Sequence, residues 1–503
     1  MKKFLFFILS LSFLCCMVFS QTVTVNSAGV ADYATINAAY TAVKANVATP
    51  DVINIIGGGP YLENLLINTS VTIKGDGYRP VIAATPTAGG PHATLNGNAI
   101  GIYTDAGSGG PITVRLENFV LLPDKTTAPT RGIRCNNNAT GLTTDHMTIE
   151  LVDVLITSNN GSDAPVSTDG LSKASLVGAK IFVDDHIYFT GIVDATLSGV
   201  ISTNNYGTAA SSDGLIFYPD EVGHTITIGP GCVFSYMNRI GIQVAADGAI
   251  VRMNGTKDNP IIIKGNWAGK TYAVANAGLA IFHDCEGNAS YNYEMNYVFI
   301  LDDEANGITT WYADPAQGLP GVTFNHCIIA NNSRNGVIIG DDLIQNWIFN
   351  NCTIANNGTA AEDQGYTAIS IGEETVLGTT GNVTFNDTII AGKGSADTTN
   401  GNNTIGITAV NAVVSLNYCA KVLAGPYLLG GTGYTLGASV PTPTENNVIT
   451  DDPTFVNINN LASDLYFDVT NIAYEGKGSG GTDLSGAMDF TPPTSAKNWE
   501  IYK

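Results

Sequence analysis

One short pattern returns along this chain and limits what it can fold into. "VRLENFVLL" (Val114–Leu122), "IELVDVLIT" (Ile149–Thr157), "TFNHCIIAN" (Thr323–Asn331), "IFNNCTIAN" (Ile348–Asn356) and "TFNDTIIAG" (Thr384–Gly392) share one plan. A large apolar residue (Leu116, Leu151, Phe324, Phe349, Phe385) is followed two places on by a small polar group or an imidazole: Asn118, Asp153, His326, Asn351 or Asp387. Three places further comes an aliphatic: Leu121, Ile156, Ile329, Ile354 or Ile390. Alternating apolar positions predict short strands with one buried face. The polar group that breaks the alternation predicts a sharp bend, because Asn and Asp tolerate unusual backbone angles. Phe324 and Phe349 are 25 residues apart, about one turn of a wide coil of strands. Stacked coils would hold like residues about 4.8 Å apart.

A second repeat interleaves with the first. "GLIFYPDE" at Gly214, "GIQVAAD" at Gly241, "GLAIFHD" at Gly278, "GVIIGDD" at Gly336 and "AISIGEE" at Ala368 each run from a small residue through a short strand to an acid. The acids are Asp220, Asp247, Asp284, Asp341 and Glu373. Starts are 27 residues apart from Gly214 to Gly241 and 58 from Gly278 to Gly336, so coils carry insertions at their corners. Short strands at regular spacing, without helical periodicity, predict an all-β solenoid in which each coil buries its face against its neighbours. A β-sandwich would instead show two-residue turns joining antiparallel strands.

Composition excludes several function classes. The 503 residues carry 22 basic against 44 acidic side chains, a net charge of −22. Such a chain repels nucleic acid and anionic membranes, and uronic-acid polymers too unless metal ions intervene. Hydrophobic residues make up 44%, too many for a disordered acidic tail. Met1 to Ser20, a basic start followed by an apolar run, reads as a secretory signal and places the mature chain outside the cytoplasm or at the cell surface. No other stretch is long and apolar enough to span a bilayer. The six cysteines beyond that segment are too scattered for a disulfide framework and lack zinc spacing. Cys327 and Cys352 align on neighbouring coils, as buried free thiols or as a stacked disulfide.

Tyr33 to Val52 is the one clear helical stretch, with Ile36, Ala39, Tyr40 and Val43 on one face. A helix before the first coil would cover the open end of a solenoid core. In "GGGPYLENLLINTSVTIKGDG", "LLI" and "VTI" read as the first two strands of the first coil. Asp32 to Gly77 resembles the N-terminal cap and first coil of secreted right-handed parallel β-helix proteins of the pectin lyase-like superfamily, and is close to the start of pectinesterases through G-x-Y-x-E at Gly59, Tyr61 and Glu63. Asp451 to Phe490 is similar to a closing segment of bacterial β-helix proteins, with "DP-x-F", "D-L-x-F" and "G-x-D-x-x-G" legible. The resemblance implies a right-handed parallel β-helix. It divides the chain into a signal at 1–20, a cap at 21–56, coils at 57–440 and a closing segment at 441–503.

The resemblance does not bring a mechanism with it. The pectinesterase motifs Q-D-T-L, D-F-I-F-G and L-G-R-P-W are missing. The polygalacturonase series has faint echoes in "STDG" (Ser167–Gly170), "VDDH" (Val183–His186), "GHTITIG" (Gly223–Gly229) and "NRIGI" (Asn238–Ile242), but Asp169 and Asp184 are less than a coil apart. Inverting hydrolysis needs carboxyls about 6.5–9.5 Å apart facing one sugar. A lyase needs a basic residue beside the acidified proton. Arg131, Arg134, Arg239 and Arg334 are the candidates, none in a lyase motif.

The acids that close the second repeat are the remaining constellation. Asp341-Asp342 and Glu373-Glu374 fall at matched points of successive coils, and stacked carboxylates repel unless they splay into water or share a cation. They are a solvated edge, a Ca²⁺ site or sugar groove, oxygen ligands suiting that ion, or catalytic carboxylates. Asp220 and Asp284 take the same place on earlier coils and, with the aromatic pair Trp311-Tyr312, are candidates for contacting a sugar chain. Trp267 and Trp347 read as packing residues, and His326 as a turn residue. Two functions stay open: a secreted or surface protein that binds extracellular polysaccharide or cell-surface glycan as an adhesin, and a lyase or hydrolase acting on such a glycan.

Overall fold

The computed structural model describes residues 22–44, 51–77, 79–83, 98–104, 111–122, 132–137, 147–157, 166–169, 173–183, 186–191, 194–204, 213–219, 223–244, 250–266, 277–281, 292–310, 321–339, 346–358, 368–371, 381–391, 405–407, 412–422, 428–429, 443–448, 455–456 and 468–469. It divides into two units, Met1–Asn159 with Thr168–Lys180, and Asn160–Ser167 with Ile181–Lys503. Both are built from one kind of coil: a strand of sheet I, a sharp corner, a strand of sheet II, then a strand of sheet III. The strands of these three sheets pair in parallel with their counterparts one coil away, while Phe455–Val456 and Asp468–Val469 form a separate antiparallel pair. This is a parallel β-helix, right-handed as parallel crossovers are.

In the first unit, sheet I runs Thr22–Val25, Asp51–Ile55, Val71–Gly75, Ile112–Glu117, Met147–Val152 and Lys173–Val177. Register stacks Val23, Ile53, Ile73, Leu116, Leu151 and Leu176 in one buried column. Tyr61, Ile82, Leu121 and Ile156 form the sheet II column. Ile67, Ile102 and Cys135 form the sheet III column. The two segments read as the first strands are therefore one coil apart. "LLI" is the sheet III strand Leu65–Ile67, and "VTI" opens the next coil in Val71–Gly75.

The helix spans Ile36–Val43, shorter than the Tyr33–Val52 expected, and Asp51 and Val52 belong to a strand. Its buried face is Ile36, Ala39, Tyr40 and Val43, as the spacing predicted. The G-x-Y-x-E residues tie the segments before the coil to it. Glu63, 8% exposed, accepts from the N–H of Ile36 at 2.9 Å and of Asn37 at 2.8 Å, satisfying donors that a helix start leaves open. Thr35 accepts from Ala38. Tyr61 accepts from the Ser27 N–H at 3.3 Å, and its hydroxyl lies 3.4 Å from the Val25 carbonyl. Gly59 has φ +79°, and a Cβ there would meet the Val81 carbonyl at 2.7 Å, so only glycine fits.

The second unit repeats the coil from Asp194–Ser198 to Thr444–Asn446 in sheet I. Phe324, Phe349 and Phe385 stack inward, ring centroids 4.7 and 4.9 Å apart and planes 3° and 13° from parallel. Trp347 is buried beside them. The predicted bends are real: Asn118, Asp153, His326, Asn351 and Asp387 have φ between 49° and 57°. Tyr297 and Tyr418 hold the same corner at φ 48° and 52°.

Just inside that corner, Cys327, Cys352, Thr388 and Cys419 fill one slot. Each donates to a carbonyl of the preceding coil: Met295 at 3.3 Å, Phe324 at 3.5 Å, Phe349 at 3.1 Å and Phe385 at 3.3 Å. The cysteines are free and buried, not bridged.

The expectation of one buried face per strand fails for sheet II here. Ile263, Ile300, Ile329 and Ile354 point inward, yet the alternate positions Ile262, Phe299, Ile328, Thr353 and Ile389 are also at most 7% exposed. Continuous apolar runs such as "IIIK" and "VFIL" belong to sheets buried on both sides, and their lack of alternation was the signal.

Buried amides order the corner between sheets II and III. Asn266, Asp303, Asn332 and Asn357, all at most 2% exposed, stand one above another. Asn332 donates through N–H and Nδ2 to Asn357 Oδ1 at 3.1 and 2.9 Å. Asp303 N–H donates to Asn332 Oδ1 at 3.1 Å. Asp303 Oδ1 accepts the N–H and Nδ2 of Asn266, both at 2.8 Å. Each such bond is worth about 1 kcal/mol net and is expensive to leave unmade.

Candidate functional site

An ionic constellation opens to the surface of the second unit at the entry to sheet III. The strands Ile187–Gly191, Leu215–Pro219 and Ile242–Val244 lie side by side, with Ile187, Leu215 and Ile242 in register. The residues before them therefore meet although far apart in sequence. His186 leads into the first strand, Asp213 into the second and Arg239 into the third. Gly214 lets the coils close at this point, since a Cβ there would strike the Gly241 carbonyl.

Asp213 is fully buried and grips Arg239 with both oxygens, Nε to Oδ1 at 2.9 Å and the outer nitrogen to Oδ2. It also accepts the Ile240 N–H at 3.0 Å. Arg239 in turn reaches Gln243 Oε1 at 3.3 Å. Burial pushes the Asp213 carboxyl up, while Arg239, the nearby His186 and the Ile240 N–H pull it down. A two-pronged, charge-assisted pair of this kind fixes the guanidinium plane.

The Arg239 side chain remains 41% exposed, so the carboxylate aims a cation at the surface. His186 packs edge-on to Tyr188, centroids 5.1 Å apart. Tyr188 and Gln243 align across the strands through Ile216, and Tyr218 is 40% exposed.

This arrangement can hold a polar ligand but is ill suited to acid–base work. A guanidinium clamped by a carboxylate stays protonated, so Arg239 cannot serve as a lyase base. Asp213 has no exposed surface and cannot reach a glycosidic oxygen.

The residues expected to form a site are placed as follows. Asp220, Asp284, Trp311, Tyr312, Asp341, Asp342, Glu373 and Glu374 lie outside the described residues, as do Arg131, Asp184, Asp247 and Trp267. The strands leading to the paired acids are neighbours, Val337 in register with Ile369 and Ile339 with Ile371. Among the described residues, no group of three or more His, Cys, Asp or Glu could hold a metal ion, and no helix is long and apolar enough to cross a membrane. Arg334 is buried at 7% exposure. His326 sits at its bend and stacks on Tyr297 at 4.8 Å. Trp347 packs in the core, as expected.

Sequence reading singled out Arg239 but missed Asp213. Its signal was a departure from the repeat: Asp213 stands where the next coil has the apolar Ile240.

No family model matches the chain, and no curated protein matches it. Among solved structures, it is similar to the A-module of the Azotobacter vinelandii mannuronan C-5 epimerase AlgE4, at 12% identity over 83% of this chain and 92% of that one, with a TM-score of 0.33. It is also similar to tailspike protein 2 of the Escherichia coli O157:H7 bacteriophage CAB120, at 14% identity over 82% of this chain and 43% of that one, TM-score 0.33. The Dettilon tailspike protein matches at 12% identity over 82% of this chain and 65% of that one, TM-score 0.32. The chain thus spans less than two thirds of either tailspike.

Proposed function

We propose that the protein is a secreted or cell-surface β-helix that binds extracellular polysaccharide without cleaving it, and that Arg239 anchors the glycan. The observation that carries this reading is a part-exposed Arg239 side chain locked by a fully buried carboxylate and by buried Gln243, on a face that also presents Tyr188 and Tyr218. A fixed donor fork with aromatic rings beside it suits a hydroxyl- or carboxylate-bearing sugar chain. Ca²⁺ belongs to the proposal as a sequence-based element: Asp341, Asp342, Glu373 and Glu374 would supply oxygen ligands and offset the net charge of −22 where an acidic glycan approaches. Asp220, Asp284, Trp311 and Tyr312 are proposed to extend the contact.

The test is a panel of plant, algal and animal polysaccharides offered to the purified chain with and without Ca²⁺, following both retention and cleavage. Retention of an acidic polymer in the presence of Ca²⁺, lost in the Asp213→Leu/Arg239→Ala pair, is the expected result. New reducing ends or unsaturated uronate absorbance would replace this reading with a hydrolase or lyase.

A further inference from the structure

Sheet I of the second unit carries a feature that the Arg239 site does not use. Its outward positions Asn254, Asn296, Asn325, Asn350, Asn386 and Asn417 lie in register on successive coils. From Asn296 onward each Nδ2 donates to the Oδ1 of the preceding coil, at distances from 2.9 to 3.1 Å. Beside this ladder run Thr323, Ile348, Thr384 and Ser415, and beyond them Asn346 and Asn382, joined at 3.3 Å. From Thr323 to Asn417 no outward residue of the sheet is charged, on a chain with a net charge of −22.

The corner next to the ladder adds aromatic rings. Tyr297 and His326, each half-buried, stack with planes 12° apart at φ 48° and 55°. Tyr418 takes the same corner three coils beyond His326, at φ 52°. Asn351 occupies it between them, and Asp387 too, though only 7% exposed. Tyrosine is strained in this left-handed conformation, whereas Asn, Asp and His accept it more readily. Tyr297 and Tyr418, held where Asn351 serves on a coil between them, point toward function rather than folding. Burial also lowers the His326 pKa, keeping the imidazole neutral at pH 7.

We infer that this face is a second glycan surface, taking neutral polysaccharide, with sugar rings against Tyr297 and His326 and hydroxyls along the Asn ladder. Arg252 and the exposed Glu294, which accepts from Asn296 at 3.2 Å, border the ladder on its first two coils. The uncharged run that follows, from Thr323 to Asn417, matches a hydroxyl-rich neutral polymer and gives an acidic one nothing to pair with. Aromatic faces beside fixed amides suit the apolar faces and hydroxyls of pyranose rings. Coils that repeat every 4.7–4.9 Å offer the same groups again and again along the polymer. The inference deepens the glycan reading with a different surface and a named chemical class.

The test is retention on microcrystalline cellulose and on chitin powder, with polygalacturonate as the acidic control. Wild-type chain should be retained on at least one neutral polymer. The pair Tyr297→Asn/His326→Asn keeps the corner, because Asn351 shows that Asn fits it, and should cut retention at least tenfold with an unchanged or higher Tm. Thr384→Glu should do the same, while Thr72→Glu, on sheet I of the first unit, should not. Neutral-polymer retention that survives the Asp213→Leu/Arg239→Ala pair but not Tyr297→Asn/His326→Asn supports this surface. No retention on either neutral polymer, or retention lost only with Arg239, overturns it, and polygalacturonate binding in those variants would still report on the Arg239 site.

Discussion

Asp303 takes a place in the buried amide column directly below Asn332, which donates from both its N–H and its side chain to the next coil. Asp303 Oδ1 has the two N–H groups of Asn266, whereas its Oδ2 is buried with no hydrogen-bond partner. Burial holds this carboxyl well above its usual value of 3.8, and the neighbouring Asp302 raises it further. A raised folded-state pKa means that its stabilising contribution is complete below about pH 3.8 and is lost as pH climbs through the folded value.

Asp303→Asn should therefore stabilise the second unit at neutral pH by roughly 1–3 kcal/mol, the cost of an unsatisfied buried polar atom. Asn332 Nδ2 faces the Ile300 carbonyl and Asn357 Nδ2 donates to that of Ile329; by the same step an amide at 303 would meet Ile263. The gain should shrink toward pH 4, and denaturant melts at two pH values check the sign. A variant that loses stability at pH 7 would show that Asp303 is ionised and favourably placed.

Arg239→Ala alone should destabilise by roughly 3 kcal/mol, because Asp213 would be left buried and uncompensated. Adding Asp213→Leu should recover most of that loss, since an apolar residue suits the place that Ile240 fills one coil later. Thermal melts of the single and double variants check this, and they make the double variant the one to use in binding work.

Glu63→Ala should release the start of the helix. Losing the acceptor for Ile36 and Asn37 costs about 1–2 kcal/mol, and hydrogen exchange at those two amides should accelerate while that of Ile73 and Leu116 stays slow. Glu63→Gln, which keeps one acceptor, should lie between.

Phe349→Ala should cost roughly 3–5 kcal/mol through the cavity it opens, more than Trp347→Phe, because Phe349 is stacked from both sides. In a solenoid each coil touches only its neighbours, so exchange should quicken around 324–385 and not in the first unit.

What the chain shows before folding depends on how far a signal reaches. The bends at Asn118, Asp153, Asn351 and Asp387 are local chemistry and were legible; those at Tyr297 and Tyr418 were not, because tyrosine disfavours φ above zero. The Phe324–Phe349–Phe385 column followed from period alone. The Asn ladder stands one residue before the bends, where it looked like surface filler until register aligned it. Arg239 was visible as a lone cation, but its partner lies 26 residues upstream, and only the coil pairing brings them together. G-x-Y-x-E read as a family mark, while its work, Glu63 holding the start of the helix and Tyr61 the end of the first strand, needed coordinates.

The slot shared by Cys327, Cys352, Thr388 and Cys419 has a practical consequence. Burial pushes the Cys419 thiol up to about 12 and that of Cys352 well above its usual value, and exchange chemistry needs the thiolate. The Cys352 and Cys419 sulfurs are thereby silent toward oxidants and alkylating reagents while the coils stay stacked. A thiol reagent that stains them clocks the opening of individual coils, with Thr388 leaving one coil unmarked between two that report.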